Sequence, residues 1–103
     1  MPRLKAFGAV RQTKGGVEGM KLTLKLFASL TDHLPPEARH SNHVVLAVPD
    51  DSDILSVIEP FNLPPKSVHL VLVNGRYIEP TARATYVLAE GDVLAIWPPI
   101  AGG

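Results

Sequence analysis

Asn74-Gly75 lies between the apolar run Leu70 to Val73 and the segment Arg76-Tyr77-Ile78, and it limits the fold more than any other short stretch. Both turn positions tolerate positive φ, which a two-residue hairpin needs, and the flanking runs supply the paired strands. The chain must therefore hold an antiparallel pair, and the remaining pattern has to be built around it.

Further strands are legible on both sides of the hairpin. Leu22, Leu24 and Leu26 alternate with Lys21, Thr23 and Lys25, the signature of a half-buried strand over 21–27. "HVVLAV" reads as a second strand closed by Pro49, and Gly91-Asp92 turns into a last strand over 93–97. Every residue of 70–73 and 93–96 is apolar, so both strands are expected to be central and covered on much of both faces. "ASLTDHL" predicts a short helix ended by Pro35-Pro36. "PDDSDILSVIEP" predicts the main one: Asp50 to Ser52 offer cap oxygens, Ile54, Val57 and Ile58 form the buried stripe, and Pro60 stops it. The fold class is α+β, with one helix laid across one face of a four- to five-stranded mixed sheet.

At 103 residues this is one domain, and 46% apolar residues support a modest core. The chain has no cysteine, which excludes a disulfide framework, a thiolate metal site and a cysteine nucleophile, and which suits a reducing cytoplasm. The net charge of zero is unevenly spread. Residues 1–19 carry Arg3, Lys5, Arg11 and Lys14 against Glu18, a balance of +3, and residues 20–103 carry −3. A body of that sign has no nucleic-acid footprint, and its longest apolar run, Val44 to Val48, is too short for a membrane span. Residues 1–19 lack a sustained period and read as a flexible leader, with a transit peptide as the alternative. Lys14-Gly15-Gly16 also fits a purine-rich ribosome-binding sequence ahead of Met20, so Met20 is the expected natural start. The domain spans 20–98 and the tail 99–103.

Other constellations carry little. His33, His40, His43 and His69 form no paired-histidine motif, and Asp50, Asp51 and Asp53 lack the glycine and distal glutamate of a calcium loop. No metal site is expected. Ser29 and Ser56 have no evident base and acid partners, and "KGGVEG" lacks the ending of a phosphate loop.

The end of the chain is different. Trp97 is followed by Pro98-Pro99-Ile100-Ala101 and then Gly102-Gly103. Pro98 and Pro99 fix φ and offer no N–H, so they end the strand and project the tail in extended form. Glycine packs nothing, yet it lets an enzyme approach the backbone closely. The composition suits a presented carboxylate, with an incidental frayed end as the bland alternative.

With those residues in place, the chain resembles the ThiS/MoaD-type ubiquitin-like sulfur carriers, and is most similar to the small subunit of molybdopterin synthase. "LAEGDVLAIWPPIAGG" carries most of the resemblance, "VHLVLVNGRYI" carries part, and "KLTLKLFASL" carries less; the segment before Met20 is unmatched. The resemblance implies a β-grasp fold and a carrier that acts as co-substrate, not as an enzyme. It implies that Gly103 is adenylated by a ubiquitin-activating-type adenylyltransferase using ATP and magnesium, with no stably bound cofactor. A sulfur donor then converts it to a thiocarboxylate, which a larger partner subunit accepts for molybdopterin biosynthesis. Gly102 is the matching second glycine, and Pro98, Pro99, Ile100 and Ala101 enter the partner. Phe27 and Trp97 fall where docking apolar residues are expected, with ordinary core packing as the alternative reading. Two departures, the early Pro60 and a tryptophan where phenylalanine is usual, leave the acceptor open. Thiazole synthesis, tRNA thiolation and conjugation of Gly103 to proteins as a modifier remain alternatives, as does a plain binding module with an incidental tail.

Overall fold

The computed structural model describes residues 19–99. The residues before and after them, including the leader as far as Glu18 and Ile100 to Gly103, lie outside the described residues. Five strands form one mixed sheet: β1 (Met20–Leu26), β2 (His43–Val48), β3 (Leu70–Val73), β4 (Arg76–Tyr77) and β5 (Val93–Trp97), in the order β2-β1-β5-β3-β4. The β1–β5 pair is parallel and the other pairs are antiparallel. The central place of β5 follows from its composition, because Leu94, Ala95 and Ile96 are all buried.

The expected alternation of β1 is observed. Leu22, Leu24 and Leu26 point into the core, where they are joined by Val71 and Val73 of β3 and Leu94 and Ile96 of β5. The helical layer covers this face with Leu30, Leu34, Ile54, Val57, Ile58 and Phe61. The main helix α1 (Ile54–Ile58) is short. Its cap is Asp53, whose Oδ1 accepts the Ser56 N–H at 2.8 Å, and not one of Asp50 to Ser52 as expected. Asp53 has the extended backbone a cap needs, with φ −92° and ψ 172°, whereas Asp51 is left-handed at φ 65° and the Ser52 hydroxyl turns back to donate to the Pro49 carbonyl at 2.7 Å. Pro60 has no N–H for the α ladder, and the chain tightens into a 3-10 turn (Glu59–Phe61) that Asn62 ends at φ 56°. The segment expected as a first short helix is likewise a 3-10 helix (Ala28–His33).

The hairpin forms where the sequence placed it, with Asn74 at φ 51° and Gly75 at φ 84°. Its turn is fastened to the neighbouring one: the Asn74 side chain donates to Asp92 Oδ1 and accepts from the Val93 N–H, both at 2.9 Å. One expectation fails. β3 is not covered on both faces, because Leu70 is exposed and β4, its outer neighbour, is only two residues long. The described residues form a single helical layer, so a strand can be apolar throughout and still have one face open.

Candidate functional site

The tail leaves the sheet from β5, and the structure brings the two predicted aromatics together at that exit. Phe27 lies one residue beyond the last parallel pair, Leu26 with Ile96, so it stands beside Trp97. Main-chain bonds fix both residues: the Phe27 N–H donates to the Ile96 carbonyl, and the Trp97 carbonyl accepts from the His69 N–H, each at 3.2 Å. The rings are stacked, with centroids 4.1 Å apart and planes within 1° of parallel. Such a pair contributes about 0.5–1.5 kcal/mol beyond its buried area. Both rings are half-buried, and neither belongs to the core on the helix side.

The chain turns sharply after Phe27. Ala28 has φ 54°, a left-handed conformation that costs an L residue roughly 1–2 kcal/mol. That turn, with the Leu30 N–H donating back to the Phe27 carbonyl at 3.0 Å, swings the 3-10 helix away and leaves the aromatic on the open side of the sheet. Beyond Trp97, Pro98 is half-buried and Pro99 exposed. Ile100, Ala101, Gly102 and Gly103, which the sequence reading assigned to partner binding and attachment, lie outside the described residues.

The register extends this aromatic pair into a surface that the sequence did not disclose. Leu70 pairs with Trp97, Leu72 with Ala95, and Tyr77 with Leu72, so all of them share the face opposite the helix. Tyr77 is 52% exposed and Leu70 36%, and Val45 stands 60% exposed on the same face in β2. Lys25, opposite Ala95 in β1, brings a positive charge among them. Together these residues make an apolar sheet face with a cationic margin. The available signal was the shortage of helix: one helical layer cannot cover two faces. Among the described residues no cluster of three or more histidine, aspartate or glutamate side chains is placed to hold a metal, and no helix is long and apolar enough to cross a membrane.

A family model described as the ThiS family matches residues 5–103. The chain belongs to the ThiS family. The match starts well before Met20, so it includes most of the segment that the sequence resemblance left unmatched. No curated protein sequence matches the chain. Among solved structures, this ThiS-family protein is similar to small archaeal modifier protein 1 of H. volcanii, with 23% identity and a TM-score of 0.58 over 80% of this chain and all of the other (100%). It is similar to small archaeal modifier protein 1 of Methanosarcina acetivorans, with 19% identity and a TM-score of 0.56 over 84% of this chain and 100% of that one. It is also similar to a chain in a complex of subunits 1 and 2 of the molybdopterin-converting factor of Helicobacter pylori, with 16% identity and a TM-score of 0.51, covering 82% of this chain and 100% of that one. These likenesses establish the fold: a ubiquitin-like β-grasp with a five-stranded mixed sheet and one main helix.

Proposed function

We propose that this ThiS-family protein is a sulfur carrier whose working group is the α-carboxylate of Gly103. The carboxylate is ionised at neutral pH, since its ordinary pKa is about 3.3–3.7. It attacks the α-phosphorus of ATP, held with magnesium on a ubiquitin-activating-type adenylyltransferase, and pyrophosphate leaves. A sulfur nucleophile then displaces AMP from the acyl-adenylate, and Gly103 ends as a thiocarboxylate. The protein contributes no catalytic group to either step. It is a co-substrate, and a cytoplasmic setting accords with its lack of cysteine.

The single observation that carries this reading is the exit of the tail. A central strand ends at a stacked aromatic pair on an open apolar face, and Pro98-Pro99 stands between that face and the terminal glycines. A partner seated on Phe27, Trp97 and Leu70 would receive the terminus beside it, with Ile100 and Ala101 leading Gly102-Gly103 into the partner's site. The acceptor we favour is a larger synthase subunit that takes sulfur for molybdopterin synthesis; the two-subunit complex from Helicobacter pylori supports a partner of that kind.

The likeness to archaeal modifier proteins favours a second reading in which the same activated Gly103 is passed to amines of other proteins. One experiment separates the two. Incubation with the cognate activating enzyme, ATP, magnesium and a sulfur donor should exchange one oxygen for sulfur in the intact mass, and removal of Gly102-Gly103 should abolish the exchange. An unchanged mass, together with a ladder of adducts that needs Gly103, would replace the carrier reading with the modifier one. Neither product would sink both.

A further inference from the structure

The other end of the sheet carries a second feature. Among the described residues β2 is an edge strand, paired only with β1. The Leu26 N–H donates to the Asn42 carbonyl, so in the antiparallel ladder the residues at 44, 46 and 48 turn their backbone groups toward β1. Val45 and Ala47 therefore turn theirs outward, and among the described residues these groups have no hydrogen-bond partner. Beside this edge runs a groove of about 700 Å³. Val44, Leu46 and Val48 of β2 line one wall, and Val57 and Phe61 of the helical layer line the other. Four carboxylates, Glu37, Asp50, Asp51 and Asp53, also line it, and no lysine or arginine does.

The leader joins the fold at the end of this groove. Met20 pairs with Val48, and Gly19 passes so close to β2 that a Cβ there would lie 3.2 Å from the Val48 carbonyl oxygen. Gly19 also has φ 147°, which a side chain would strain. The chain before Met20 is thus brought against the last residue of β2, where Asp50 and Asp51 begin the acidic rim. Residues 1–18 carry Arg3, Lys5, Arg11 and Lys14 against Glu18, a charge of +3, with Leu4, Phe7 and Val10 among them.

We propose that residues 1–18 return across the end of β2 and occupy this groove, their backbone meeting the outward groups of Val45 and Ala47 and their cations meeting the acidic rim. Reach is ample: eighteen extended residues span roughly 60 Å, and a strand as long as β2 needs about 20 Å. Tethering sets the effective concentration of such a segment at about the millimolar level, so a weak site suffices. An edge strand with free donors invites pairing with other chains, and a leader seated on it removes that hazard. The occupant is this chain's own segment, because it combines attachment at the groove with the opposite charge.

The test uses the full chain, which has no cysteine to compete for a label. A nitroxide on Ala9→Cys should broaden the amides of Val45, Ala47 and Ser56 selectively, equally at low and high protein concentration. The broadening should fade in molar salt, where the screening length falls to about 3 Å. It should also fade in the triple variant Glu37→Gln, Asp50→Asn, Asp51→Asn, which spares the helix cap at Asp53. If the leader is seated nine-tenths of the time, the Val45 and Ala47 amides should exchange about ten-fold more slowly than in a chain with Arg3, Lys5, Arg11 and Lys14 changed to Glu. Broadening centred on Trp97 and Tyr77, broadening spread evenly, or exchange unaffected by the charge reversal would overturn the proposal. Broadening that grows with concentration would assign the groove to a second copy and overturn it equally.

Discussion

The two faces of the sheet are built from similar residues and differ in how far they are covered. On the helix side, Leu24, Leu26, Val71, Leu94 and Ile96 are fully buried. On the open side, Phe27, Leu70, Leu72, Tyr77 and Trp97 are no less apolar, yet each is only half-buried or exposed. A chain with one helical layer can bury one face, and polar residues on the other would keep it soluble at no cost to the core. An apolar open face beside Trp97 and Pro98 is what the proposed docking needs and what burial of the core does not require.

The comparison breaks if adjacent residues of β5 behave alike, and their substitution gives the largest expected effect. Ile96→Ala should cost about 2–5 kcal/mol, because it leaves a cavity between sheet and helix. Trp97→Ala, on the opposite face, should cost about half as much, since its ring is half in water already. The order reverses in binding: Trp97→Ala should weaken capture by the activating enzyme at least ten-fold, the equivalent of about 1.4 kcal/mol. Urea unfolding and a binding titration on both variants decide the matter. Equal loss of stability would make Trp97 one more core residue.

Arg83 sharpens the same contrast, because it is the only buried polar or charged residue among those described. Its guanidinium donates to the carbonyls of Ile78, Val68 and His69, at 3.0, 3.1 and 3.1 Å. It thereby ties the loop after the hairpin to the chain that leads into β3. Arg83→Met keeps the bulk and removes the donors, and should cost about 3 kcal/mol, with Arg83→Lys recovering only part because one ammonium cannot span three carbonyls. Thermal unfolding of the pair measures it. At Asp53 the expected loss is smaller, about 1 kcal/mol for Asp53→Ala and close to zero for Asp53→Asn, which still caps.

How much of this was legible in the sequence depended on the range of the interactions. Alternation in β1, the Asn74-Gly75 turn and the apolar β5 are local signals, and each produced the element expected. The cap at Asp53 was missed by one residue, because several aspartates and a serine stand in a row and the residue type does not say which of them meets the helix N–H. Arg83 was invisible: its partners lie 5, 14 and 15 residues away, and nothing in "TARATY" marks it as buried. Phe27 and Trp97 were marked as docking residues by family resemblance, but their stacking and the rest of the open face were not read. Leu70 and Tyr77 join that surface only through the β5–β3–β4 register, which no short window of sequence contains.

The smallest effect tests whether the open face is maintained at a cost. Ala28 sits at φ 54° directly after Phe27, and glycine would relieve the left-handed strain. Against a strain of roughly 1–2 kcal/mol stands the extra entropy glycine loses on folding, about 0.5–1 kcal/mol, so Ala28→Gly should stabilise the protein by about 0.5–1 kcal/mol. The same change frees the pivot that holds Phe27 against Trp97. If a rigid aromatic pair matters for docking, the more stable variant should bind the activating enzyme more weakly, and nuclear relaxation of the Trp97 ring should show increased motion. A variant both more stable and equally competent would mean that Ala28 merely tolerates its conformation, and that the order of the aromatic pair comes from the strands alone.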